Sequence, residues 1–399
     1  MRRPLMVIVF WCLVAGLTIA APMPSAQSPS LRSTADAAKA GMDPERLARI
    51  PVRMKELVEK GTIAGAVTLV ARHSVVASLE AVGYQDLETK KPMRIDTIFR
   101  VASIAKPVTA IGIMILQEDG RLALNDPVEN YLPEFKGERM RDGAAPRRPI
   151  TIQGLMTHAS GMASEDALFK SEFMSKSLAE VVALYAQAAL DSEPGTKRLY
   201  SSPAFDTLGR IIEVASGRPY EVFMEERVFR PLGMRDTHFF LPPEKRDRLA
   251  SFYRFAEGKL HKGAVGIAGD TPHEGRRFAA PAWGLYSTAP DLGALMQMML
   301  GRGTYQGRRI LSRASVKAMT TDQTPQLAGP GQGLGWAVAR DPGMFGPLVS
   351  AGAYGHFGST GVFVWVDPEQ DLAGVFLKHQ GGFNAINAFM AMAAASIVN

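Results

Sequence analysis

The sequence predicts an α+β fold: one antiparallel sheet assembled from N- and C-terminal segments, flanked by helices, with a helical subdomain inserted in the middle. Three observations carry this. Strand-like runs occur near both ends, "AGAVTLVAR" and "VVASLEAVGY" early, "GLGWAVAR", "GVFVWVDP" and "DLAGVFLKHQ" late. The stretch between them carries apolar residues at three-and-four spacing, in segments that mostly end in glycine. No internal repeat interrupts either pattern. The fold therefore spans 41–399, with 41–102 and 282–399 as its α/β part and 103–281 as its mainly helical part.

The chain opens with Arg2 and Arg3, then an apolar run from Leu5 to Ala21 and a series of small residues and prolines. This reads as a secretory signal peptide over 1–26, cleaved after Ala20 or Ala26, and implies a periplasmic or secreted protein. Left uncleaved, the run would be a membrane anchor, the one expected contact with a bilayer. Residues 27–40 read as a flexible tether. Asp43 as N-cap, Pro44 at the first helical position and Gly61 as terminator mark a helix. His73 and Ser74 then separate two β-rich runs, giving a hairpin. Helices follow in "KPVTAIGIMILQEDG", "TIQGLMTHASG", "SLAEVVALYAQAAL", "SPAFDTLGRIIEVASG", "YEVFMEERVFRPLG" and "STAPDLGALMQMMLGRG". The late strands come next, and "NAINAFMAMAAASIV" closes the chain as a terminal helix.

A chain of 399 residues, 46% hydrophobic and 21% charged, buries a large core. The formal charge of +6 includes Arg2 and Arg3, and the rest is scattered over pairs such as Lys90-Lys91 and Arg308-Arg309. Without a basic stripe interleaved with aromatics, nucleic acid is not an expected partner. The only cysteine, Cys12, lies in the export run, so the mature chain has neither disulfides nor a cysteine nucleophile. The seven histidines lack metal-ligand spacing, and no H-E-x-x-H, G-x-S-x-G or phosphate-loop pattern occurs. No metal or cofactor is expected.

The chemistry centres on "FRVASIAKPVTA". Ser103 and Lys106 are one helical turn apart and project from the same face. Pro107 would clash with the carbonyl of Ser103, so a regular helix cannot extend far upstream of that serine. Ser103 thus belongs to the first turn, where unpaired N–H groups favour developing negative charge. Lys106 supplies a cation or a base at the buried start of an apolar helix. The Ser-x-x-Lys spacing alone is weak; its place at a helix start gives it weight.

At these residues the chain resembles the serine β-lactamases and penicillin-binding proteins, in the class C-like branch that includes family VIII carboxylesterases and D-aminopeptidases. Five blocks in order carry the likeness, from about Gly41 to the C-terminus: "TIFRVASIAKPVTAIGIMILQEDGRLALNDPVENYLPEF", "ITIQGLMTHASGM", "RLYSSPAFDTLGRIIEVASG", "WGLYSTAPDLGALMQMML" and "YGHFGSTG". The resemblance implies a β-lactamase/transpeptidase-like fold, Ser103 as acylated nucleophile, Lys106 as its proton partner and Tyr200 as proton shuttle. It also implies an oxyanion hole from the backbone N–H groups of Ser103 and Ser359.

Two departures bear on substrate. Ser202 stands where the Tyr-x-Asn element has asparagine, which removes one amide donor from substrate recognition. His356, in "HFG", replaces the lysine of Lys-Thr-Gly, so a substrate carboxylate should be held weakly or in a pH-dependent way. Gly358 leaves room for substrate at the strand edge. His158 and Ser160 of "THASG" read as backbone-bonding residues of a structural block.

Together these features point to an exported serine hydrolase that works through an acyl-enzyme on small carboxylic esters or related acyl compounds. A β-lactamase or D-Ala-D-Ala carboxypeptidase or transpeptidase is the alternative. A non-catalytic cell-wall-peptide binding or scaffold protein is the alternative of another class. The expected partner is a small ester, β-lactam or peptide.

Overall fold

A computed structural model describes residues 34–163, 171–263, 277–378 and 384–398. The signal peptide read over 1–26 and the start of the tether lie outside them. Within the stretch expected as tether, Thr34–Lys39 forms a helix, α1, and Ala37 and Ala40 are buried. Its Ala-rich stretch favours helix, whereas the prolines lie upstream.

Helix α2 (Pro44–Glu59) starts where its cap predicts, with the Asp43 carboxylate accepting from the N–H groups of Glu45 and Arg46. Strands β1 (Gly65–Arg72) and β2 (Val75–Asp86) form the expected hairpin. His73 and Ser74 both take positive φ, 51° and 61°, the turn that matches the twist of the flanking strands.

The C-terminal segment supplies β4 (Gly331–Gln332), β5 (Ala337–Val338), β6 (Tyr354–Gly358), β7 (Val362–Asp367) and β8 (Leu372–Lys378), and the short β3 is Lys91–Pro92. They join one antiparallel sheet in the order β4-β5-β6-β7-β8-β1-β2-β3, so β8 against β1 stitches the chain ends together. Side chains alternate between two apolar layers. Val67, Leu69, Val364 and Val375 face the larger core, while Ala66, Val70, Trp365 and Phe376 face α1, α2 and the terminal helix Asn384–Ala395. Burial on both faces explains why these strands read as nearly continuous apolar runs.

The inserted part holds α3 (Ala105–Glu118), α4 (Ile152–Met156), α5 (Leu178–Tyr185) and α6 (Ser202–Ser216). It is not wholly helical, because Tyr253–Ala256 and Lys259–Lys262 pair as a hairpin. Three residues of Tyr253–Ala256 are exposed, so no apolar alternation marked it as a strand. Among the described residues no helix is long and apolar enough to cross a membrane.

Candidate active site

Ser103 sits in a tight 3-10 turn, Ala102–Ile104, that leads into α3. The preceding residue, Ala102, is buried and has φ 46°, a left-handed conformation that costs a non-glycine residue of order 1–2 kcal/mol. Neighbours hold the turn there. The Val101 N–H donates to Leu285 O at 3.0 Å, and a Cβ added at Gly358 of β6 would lie 2.4 Å from Val101 O. Ser103 is partly accessible, whereas α3 from Ala105 to Leu116 is buried throughout. The turn therefore presents one partly accessible hydroxyl where β6 meets the start of α3.

Lys106 is fully buried. Its Nζ donates to Ser103 Oγ at 3.2 Å, Ser202 Oγ at 3.1 Å and Ala282 O at 3.1 Å, so its three donors meet three neutral acceptors. The backbone around Ala282 is fixed in turn. Asp206 Oδ1 accepts from the Ala282 N–H at 3.0 Å, and Thr109 Oγ1 donates to Pro281 O at 2.8 Å. Ser202 opens α6, is buried, and accepts a hydrogen bond from Lys106 Nζ.

Tyr200 is exposed, with its ring centroid 4.7 Å from Lys106 Nζ. Among the described residues no hydrogen bond joins its hydroxyl to Ser103 or Lys106; the contact is cation to ring face. His158 holds the segment that carries it. The His158 carbonyl accepts from Leu199 N–H at 2.8 Å, its Nδ1 accepts from Ser201 N–H at 3.1 Å, and its ring lies 4.4 Å from that of Tyr200. Because Nδ1 accepts, the neutral ring carries its proton on Nε2. Burial, reinforced by Lys106, holds its pKa well below that of an ordinary imidazole.

His356 lies on β6, opposite Val364, with its ring centroid 6.5 Å from that of Tyr200. It is buried, and desolvation together with Lys106 pushes its pKa down to about 3. This corrects the expectation of a partly charged imidazole: at neutral pH the position offers no cation. Its Nδ1 lies 2.8 Å from Phe357 O. Gly358 is tightly confined, since an added Cβ would also lie 2.5 Å from Val362 Cγ2. Ser359 follows at the exposed turn between β6 and β7. Strand β6 and the serine turn are thus neighbours, with the Ser359 backbone at the strand end beside them.

The family model "Beta-lactamase" matches residues 52–399. The chain belongs to the beta-lactamase family. Among curated relatives, Protein Rv1367c of Mycobacterium tuberculosis is 34% identical over 357 residues, covering 81% of this chain and 88% of that protein. Esterase EstB of Burkholderia gladioli is 31% identical over 348 residues, covering 77% and 86%. The solved structure of EstCE1, described as a hydrolase with promiscuous acyltransferase activity, superposes with a TM-score of 0.76 at 26% identity, over 89% of this chain and 99% of that one. The fold and the serine-hydrolase type of this beta-lactamase-family chain follow from these matches.

His158 bonds backbone as the sequence leads one to expect, through its grip on residues 199 and 201. Two contributors carry no signal of their own in the sequence. Asp206 lies one turn beyond Ser202 on a helix face that reads only as amphipathic. Arg198, two residues before Tyr200, carried no signal beyond its block.

Proposed function

We propose that this protein is an exported serine hydrolase that cleaves small carboxylic esters or related acyl compounds through an acyl-enzyme on Ser103. The observation that carries the reading is the buried Lys106 amine hydrogen-bonded to the partly accessible Ser103 hydroxyl beside strand β6. In the first step Lys106 reacts as the free amine, and Ser103 Oγ attacks the acyl carbon while its proton passes to that nitrogen. Backbone N–H groups of Ser103 and Ser359 receive the oxyanion, and as it collapses the proton held by Lys106 passes through the Tyr200 hydroxyl to the departing alcohol, which restores both groups. Water then repeats the sequence against the acyl-enzyme, releasing the acid and restoring Ser103.

Esters are favoured over β-lactams because position 356 is neutral and Ser202 is bonded to Lys106, so neither of these two positions offers the cation or the amide that the resemblance places there. The similarity to Esterase EstB supports the same choice. Export is supported by Arg2 and Arg3 ahead of the Leu5–Ala21 run. Rates on p-nitrophenyl butyrate and nitrocefin test the substrate class. Turnover of the ester with little or none of nitrocefin is expected; the reverse order would assign a β-lactamase, and inertness toward both would favour a binding protein.

A further inference from the structure

We propose that Arg198 forms an anion subsite beside the Ser103 cleft and selects acyl substrates that carry a carboxylate away from the scissile bond. The inference rests on the hydrolase reading above and narrows it.

The guanidinium is positioned without being neutralised. Its Nε and Nη2 both donate to Gln332 Oε1, at 3.3 and 3.2 Å. Gln332 is buried, and its Nε2 donates to Gly333 O and Trp336 O, both at 3.0 Å, which fixes the amide with its oxygen toward Arg198. A neutral amide thus holds a cation in one orientation on the edge strand β4. The nearby carboxylate, Asp322, is committed elsewhere: it binds Arg340 Nε at 2.7 Å and accepts from the N–H groups of Thr324 and Gln332. Among the described residues Arg198 has no carboxylate partner.

Among the described residues the other guanidinium nitrogen, Nη1, makes no hydrogen bond. Nη1 lies 3.9 Å from where a Cβ would stand at Gly329, so that glycine leaves room beside it. Arg198 is half-buried and stands two residues before Tyr200, and its charge acts on His158 and His356. Burial and Arg340 together disfavour that charge, so an incoming anion relieves a cation already out of full solvent. The other cation at the cleft, Lys106, has all three donors engaged. With position 356 neutral, Arg198 offers a charge without a carboxylate partner among the described residues, and its planar fork suits a carboxylate.

The test compares isosteric esters by kcat/KM. On the acyl side the pair is 4-nitrophenyl hydrogen adipate and 4-nitrophenyl methyl adipate; on the alcohol side it is 4-carboxyphenyl hexanoate and 4-carbamoylphenyl hexanoate. One charged ester is expected to exceed its neutral partner by about tenfold or more. In Arg198→Gln that ratio should collapse toward one, any common loss cancelling, and Arg198→Lys should keep part of it. Arg198→Glu should invert it. Equal rates within both wild-type pairs, or a ratio unchanged in Arg198→Gln, would overturn the subsite while leaving the esterase reading intact. If every ester is inert, the hydrolase reading and the subsite fall together.

Discussion

Lys106 Nζ lies 3.1 Å from Ser202 Oγ and 3.2 Å from Ser103 Oγ, so one buried amine is shared between the nucleophile's hydroxyl and a second serine at the start of α6. The relation changes the meaning of the departure at position 202. Where the family's tyrosine block carries asparagine, a hydroxyl is long enough to hold the lysine but presents no amide to substrate. On the proposed reading the Ser103–Lys106 pair is kept while position 202 offers substrate no amide.

Removing the amine should stop chemistry without unfolding the protein. Lys106→Met fills similar volume and is expected to lower kcat on p-nitrophenyl butyrate by about 10³-fold, the usual scale for a lost acid–base group. Ser202→Ala removes one of three acceptors and should cost about tenfold, the worth of a hydrogen bond to a charged group. Equal losses in the two variants, measured by steady-state kinetics, would contradict the division of roles.

His158 is expected to act by placing Tyr200. Its backbone is left-handed, φ 57°, a conformation asparagine tolerates, and an asparagine oxygen can accept the Ser201 N–H in place of Nδ1. His158→Asn should thus retain more kcat than His158→Ala or His158→Phe, with KM little changed in all three. Loss in the asparagine variant as deep as in alanine would point to a proton-transfer role instead.

Acid sensitivity follows from the buried imidazoles. The native fold keeps His356 neutral down to about pH 3, whereas the unfolded chain protonates it below its ordinary value of 6.5. The unfolded state then binds the extra proton, so stability is full above pH 6.5 and falls as the pH drops toward 3. His158 adds to the same slope. Removing one such group recovers about 1.4 kcal/mol per pH unit below 6.5. Urea unfolding of His356→Gln and wild type at pH 8, 6 and 4 should show the variant gaining on wild type with each step down. Parallel curves would contradict the neutral, buried assignment.

Much of the frame was legible because its signals are local. Asp43 capping, the His73-Ser74 turn and the apolar runs of β1, β7 and β8 are each written within a few residues. The Ser103–Lys106 pair was legible for the same reason, being one helical turn. What escaped depends on chain folding back over long separations. His158 reaches residues 199 and 201, Asp206 reaches Ala282, and Lys106 reaches Ser202. The charge state of His356 was misjudged because it is set by burial beneath the cleft and by Lys106, neither of which a glycine-rich motif reveals.

The central claim is that Ser103 carries the acyl group, and intact-mass spectrometry after treatment with a fluorophosphonate tests it most directly. The account predicts one adduct per chain, mapped by peptide sequencing to Ser103 and absent from a folded Ser103→Ala variant. An adduct that persists in that variant, or that maps to another serine, would contradict it.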